Sequence, residues 1–193
     1  MPLTRRDLLT STALLGIAGA SSLSLADEPA PASIDPKTPG KTPHTKFAVN
    51  VEMWFRKLPF LDRIRAAADL GFPAVEFWPH EGKDIAAIAR LCAERKIAIA
   101  QFTAWGFKPG LNEPKNHAAF VQAIEKGCQV AKELDCPLMT VVAGDDVPGL
   151  TQEQMHQNTI EGLKRGAPIA EKHGITLILE PMNIRVEIGR AHV

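Results

Sequence analysis

Phe47-Ala-Val-Asn-Val-Glu-Met-Trp-Phe-Arg-Lys-Leu58 is the stretch on which the fold turns. Its apolar start, Phe47 to Val51, predicts a β-strand. The turn that follows, Glu52 to Leu58, contains no glycine. An open dinucleotide-binding sheet places a Gly-rich phosphate loop directly after its first strand. That requirement is not met here.

Outward from this stretch, strand and helix alternate. Pro59 opens a helix that carries Phe60, Leu61, Ile64, Ala67, Ala68 and Leu70 near helical spacing, and Gly71 stops it. Ala74 to Trp78 predicts a second strand, and Lys83 to Arg95 a second helix with Ile85, Ile88, Ala89, Leu91 and Cys92 on its apolar face. Ile97 to Phe102, Leu138 to Ala143 and Ile175 to Glu180 predict three more strands. The helices between them run from Lys115 to Leu134 and from Thr151 to about His173. Thr151 with Gln154 has the spacing of a capping box. Such alternation implies parallel strands joined by crossover helices.

Two architectures satisfy this pattern: an open doubly wound sheet complete at five strands, or an eight-stranded barrel represented by about its first five strands. Polar and aromatic residues cluster at the strand C-termini: Asn50 and Glu52, Glu76 and Trp78, Gln101 and Thr103, Asp145 and Asp146, Glu180 and Asn183. Barrels of the (β/α)8 type build their sites at that end. The expected fold is therefore α/β, the N-terminal part of a (β/α)8 TIM barrel spanning residues 47–186.

Composition excludes some functions. The chain has 193 residues, with 22 Lys and Arg balanced by 22 Asp and Glu. A protein that tracks nucleic-acid phosphates carries a basic excess, so no nucleic-acid partner is expected. The three cysteines, Cys92, Cys128 and Cys136, lack CxxC spacing and read as core thiols rather than a disulfide framework or zinc site.

The N-terminus reads as an address. Thr4-Arg5-Arg6-Asp7-Leu8-Leu9 resembles a twin-arginine export signal, and the apolar run to Ala20 is too short to span a membrane. Residues 1–26 are expected to be a signal peptide and the mature protein to lie in the periplasm or outside the cell, without stable membrane insertion. Residues 27–46, with Pro29, Pro31, Pro36, Pro39 and Pro43, read as a Pro-rich linker. Glu187 to Val193 reads EIGRAHV, the string a common sequencing adapter gives when translated in one frame, and residues 187–193 are expected to be non-native.

Glu180 is the foremost chemical candidate. It ends an apolar strand, and parity sets Thr176, Ile178 and Glu180 on one side and Leu177 and Leu179 on the other. A carboxylate facing the barrel mouth suits a metal ligand or a general base, and equally a structural carboxylate held by backbone amides or by Arg185. Glu76 could bind a substrate hydroxyl, orient a ligand or sit in a buried ion pair. His80 could act at the site or stand in solvent. His117, His156 and His173 read as surface residues on helices. Trp54, Phe55, Trp78, Trp105 and Phe107 either exclude water from the site or pack the loops. Asp145 and Asp146 read as a polar turn.

Phe47 to Val51, Ala74 to Trp78, Ala100 to Thr103, Val141 to Gly144 and Leu177-Ile-Leu-Glu-Pro-Met-Asn183 together resemble the hydroxypyruvate isomerase branch of the xylose-isomerase-like barrels. The resemblance covers residues 47–186. It implies a divalent metal, Mg or Mn, with Glu180 as a metal ligand and as one of two acid/base glutamates. Glu76, Trp78, His80 and Asn183 would contact the small-molecule substrate, and a homo-oligomer is possible. The implied reaction interconverts hydroxypyruvate and tartronate semialdehyde through an enediolate, with the remaining ligands expected on strands six to eight. The alternatives are a related sugar epimerase or dehydratase, and a non-catalytic exported sugar-binding barrel. An endonuclease IV-like activity conflicts with the zero net charge. Five strand–helix units cannot close an eight-stranded barrel, so the chain as written is expected to be inactive and prone to aggregate through its open edges.

Overall fold

The computed structural model describes residues 34–180. The expected signal peptide, Asn183 and the 187–193 tail lie outside the described residues, as does the start of the linker. Five parallel strands form one sheet in the order β1-β2-β3-β4-β5. They are β1 (Ala48–Asn50), β2 (Ala74–Phe77), β3 (Ala98–Trp105), β4 (Leu138–Val141) and β5 (Thr176–Leu179). The order is strictly sequential, with no reversal of the kind that makes the ligand crevice of a doubly wound sheet. Of the two architectures the sequence permits, this is the barrel's.

Four helices connect the strands: α1 (Phe60–Asp69), α2 (Ile85–Arg95), α3 (His117–Glu133) and α4 (Gln152–Lys172). Their ends follow local chemistry. Leu70 ends α1, and Gly71 at φ +83° carries the chain through a left-handed turn that a Cβ would strain. Asp84 caps α2 by accepting from the Ala87 N–H at 2.9 Å, so the helix starts beyond Lys83. Thr151 and Gln154 form the expected capping box at the start of α4. No helix among the described residues is long and apolar enough to cross a membrane.

The core lies between the helices and one face of the sheet. Val75, Phe77, Phe102, Met139 and Val141 pack there against Ile64, Ile88, Phe120 and Ile124. Phe77 stacks on Phe102 at 5.9 Å, and Phe60 meets Phe77 edge-on at 5.6 Å. Cys92, Cys128 and Cys136 are free and buried in this layer, as the sequence suggests. Burial raises all three thiol pKa values, that of Cys92 to about 11, which disfavours their thiolate forms.

Part of the Pro-rich stretch docks on this unit. The Gly40 N–H donates to the Leu70 carbonyl at 3.0 Å, and the Gly40 backbone packs against Phe72. His117 departs from its surface reading. It is 2% exposed, and its Nε2 lies 3.0 Å from the Leu111 carbonyl. As the first residue of α3, it turns inward toward Leu111 and Gly162 rather than outward.

Candidate active site

The opposite face of the sheet is polar at the strand ends. Asn50 pairs in register with Glu76, and Glu76 with Gln101. Thr140 follows on β4 and Ile178 on β5, which are partners in the next pairing. Two register irregularities shape this row, one where β2 meets β3 at Val75/Glu76 and one where β3 meets β4 at Thr103/Trp105. The first skips Ala100 and brings Gln101 onto the face of Glu76.

These residues line an open chamber of about 390 Å³ together with Met53, Trp78, Leu179 and Glu180. Glu180 follows the last residue of β5, and its N–H donates to the Val141 carbonyl at 3.0 Å. Glu180, Glu76 and Trp78 are thus brought together, as the strand-end pattern predicts. Ile178 contributes an exposed apolar wall at 37% exposure.

Hydrogen bonding distinguishes the two glutamates. Glu76 accepts from Asn50 Nδ2 at 3.1 Å on one oxygen and from Gln101 Nε2 at 2.9 Å on the other. Glu180 is half-buried, and burial pushes its carboxyl pKa above the usual range. The negative charge of Glu76 pushes it further in the same direction. A carboxyl whose pKa is raised by burial and by a neighbouring like charge in an open chamber is a candidate for proton transfer.

The loop after β2 is tied down by Lys83. Its ammonium donates to the carbonyls of Trp78 at 2.7 Å and Pro79 at 2.8 Å, and it pairs with Glu52 Oε1 at 2.8 Å. It also lies 5.0 Å from the centre of the Phe60 ring. Arg63 reaches the other Glu52 oxygen at 3.4 Å. Glu52 thereby joins the first two strand–helix loops and stays out of the chamber lining. His80 does not line the chamber either. Its ring stands edge-on to Phe102 at 5.5 Å, with Nδ1 3.6 Å from Glu81.

The aromatic residues divide between the two readings. Trp78 borders the chamber, while Trp105 is buried against Phe120 at 5.4 Å. Trp54 meets Phe55 and Phe72 edge-on. Asp145 pairs with Lys108 at 3.5 Å, and its carbonyl accepts from Asn112, which matches a polar turn. Sequence reading places Asn50 and Gln101 at strand ends but gives them no role, and it passes over Thr140. The signal was their register, which the individual strands do not display.

No group of three or more His, Cys, Asp or Glu residues suited to a metal ion occurs among the described residues. The chamber still fits part of a hard-cation site. Glu180 is a half-buried carboxylate whose pKa is raised by burial and by the second carboxylate, Glu76, beside it. Its surroundings offer oxygen donors and no thiolate, the set that suits Mg or Mn.

Comparison with known proteins agrees with this architecture. The family model described as a xylose isomerase-like TIM barrel matches residues 64–189. A 2-oxo-tetronate isomerase of Pectobacterium atrosepticum is 30% identical over 152 residues, covering 74% of this chain and 56% of that protein. The hydroxypyruvate isomerase of Escherichia coli is 26% identical over 144 residues, covering 72% and 56%. Among solved structures, an AP endonuclease, family 2, from Brucella melitensis superposes with a TM-score of 0.69 at 28% identity, covering 75% of this chain and 58% of that one. The chain thus spans little more than half the length of the curated relatives it matches. Sequential parallel strands, a polar chamber at their C-terminal ends and a family match across most of the described residues agree: the chain belongs to the xylose isomerase-like TIM barrels.

Proposed function

We propose that the full-length protein is an isomerase of small hydroxy-oxo acids, interconverting hydroxypyruvate and tartronate semialdehyde by moving a proton between adjacent carbons. One observation carries the reading: Glu180, with its raised pKa, shares a chamber with Glu76 at the C-terminal ends of the strands. The relatives named as hydroxypyruvate and 2-oxo-tetronate isomerases support it.

Glu180 is the proposed proton-transfer residue. Its carboxylate takes the proton from the carbon beside the substrate carbonyl, and its raised pKa brings its basicity closer to that of the reacting group. Glu76, held by Asn50 and Gln101, accepts a hydrogen bond from a substrate hydroxyl. Trp78 and Ile178 form the apolar border that limits water. Glu180, with Glu76 beside it, would contribute to holding Mg or Mn. When bound, the cation supplies Lewis-acid polarisation of the substrate carbonyl. The partner glutamate and the remaining ligands are proposed to lie beyond the described residues.

The proposal extends to place and assembly. The Arg5-Arg6 signal supports export by the twin-arginine route, with residues 1–26 removed, the Pro-rich stretch after them leading into the barrel unit on which Gly40 docks, and the enzyme acting in the periplasm or outside the cell. A homo-oligomer is compatible with it. The reading is tested by following deuterium exchange at the carbon next to the carbonyl by proton NMR, across hydroxypyruvate, 2-oxo-tetronate and a panel of ketoses. Metal-dependent exchange confined to the short oxo acids supports it. Exchange only with ketoses identifies an epimerase instead, and binding without exchange a sugar-binding barrel.

A further inference from the structure

Four adjacent strands each lend one side chain to a chain of hydrogen bonds across the chamber floor. Thr140 Oγ1 donates to Gln101 Oε1 at 2.6 Å, and Gln101 Nε2 donates to Glu76 Oε2 at 2.9 Å. From the other side, Asn50 Nδ2 donates to Glu76 Oε1 at 3.1 Å. Asn50 is itself oriented, because its Oδ1 accepts the N–H groups of Glu52 at 2.9 Å and Met53 at 3.2 Å.

The polarity of both amides follows from their partners. A flipped Gln101 would set its carbonyl oxygen against the Glu76 carboxylate, and a flipped Asn50 would do the same from the other side while aiming its NH2 at two N–H donors. Thr140 is 5% exposed, and its hydroxyl is committed to Gln101 Oε1 at 2.6 Å. Every donor in the chain therefore points toward Glu76.

We propose that Gln101 is a positioning residue, with Thr140 setting its polarity, and that it fixes the Glu76 oxygens as acceptors for a substrate hydroxyl. The inference rests on the proposed reading of Glu76 as a substrate contact. Gln101 acts through Glu76 and not on the reacting bond. Losing it weakens binding of ground state and transition state alike, which appears in KM and spares kcat.

The test uses the full-length protein with Gln101→Met, Thr140→Val and Thr140→Ser. Steady-state kinetics on hydroxypyruvate should show KM raised about tenfold in Gln101→Met, the scale of one hydrogen bond to a charged group, with kcat within about twofold of the parent. Thr140→Val should shift KM in the same direction by less, and Thr140→Ser, which keeps the hydroxyl, should recover most of the loss. A lower melting temperature with unchanged KM would overturn the positioning role, as would an equal loss in kcat. A crystal structure of Gln101→Met gives a second readout that needs no turnover. The Glu76 carboxylate should leave the place it occupies between Asn50 and Gln101, and an unmoved Glu76 overturns the inference. If the parent protein does not turn over hydroxypyruvate, the functional reading fails, and the position of Glu76 alone decides the clamp.

Discussion

Replacing Gly162 with alanine should destabilise the protein, although helix propensity alone predicts the opposite. In an exposed helix interior, alanine is favoured over glycine by about 1 kcal/mol. Gly162, however, lies on α4 where a Cβ would come within 2.4 Å of Leu111 Cδ1 and 2.9 Å of Leu111 Cγ. It would also stand 3.2 Å from His117 Nε2, the atom that meets the Leu111 carbonyl. Leu111 is fully buried, and the contact at Cγ is not relieved by turning χ2, while a χ1 change would have to find room in a packed core. Overpacking of this kind costs about 1–3 kcal/mol, and the rigid surroundings put this case near the upper end. Setting the propensity gain against it leaves a net loss of about 2 kcal/mol, or about 4–8 °C in Tm for a chain of this size. Urea and thermal melts of Gly162→Ala, alone and combined with Leu111→Ala, measure it. In the Leu111→Ala background the clash is gone, and the glycine replacement should become neutral or stabilising. A Gly162→Ala protein more stable than the parent would refute the close approach of α4 to the loop that leads into α3.

Three further outcomes follow from particular contacts. A folded-state carboxyl pKa above its unfolded value means that the folded chain binds more protons between the two, so Glu180 lowers stability as pH rises through that window. Glu180→Gln should therefore be more stable than the parent at neutral pH, with the difference vanishing below the ordinary carboxyl value of 4.5; paired urea melts at the two ends of that range would expose an error of sign. Lys83→Met removes the ammonium that holds the Trp78 and Pro79 carbonyls and Glu52, and should cost about 2 kcal/mol while shifting tryptophan fluorescence. Unchanged stability and emission would show that the loop after β2 is held by something else. Thr151→Ala opens the capping box of α4 and should cost about 1 kcal/mol in chemical denaturation, with Thr151→Ser keeping most of it.

Periodicity made most of the fold legible because each helix and strand buries a face that repeats at its own period. The Thr151–Gln154 box marks the start of α4 in sequence and structure alike. The second helix starts beyond the expected Lys83 because Asp84 takes the cap and frees Lys83 to reach back to the loop. The clustering of Glu76, Trp78 and Glu180 was also legible, since parallel strands with sequential order bring their C-terminal ends together. Gln101 was not. Strict alternation sets it on the face of Ile99, and only the irregularity against β2 turns it toward Glu76. A bulge is a property of two strands in register, and neither strand records it alone. His117 was missed for a similar reason: its burial depends on Leu111 and Gly162, which belong to other parts of the chain.

The Glu180 carboxylate lines the chamber it shares with Glu76, and we propose that it takes part in holding a divalent cation there. A crystal structure of the full-length protein grown with manganese, with anomalous data collected at the manganese edge, tests it most directly. An anomalous peak is expected against the Glu180 carboxylate on the open face of the sheet, lost in Glu180→Gln. A Glu180 side chain turned toward the helices, or a manganese peak elsewhere with this chamber empty, would contradict it.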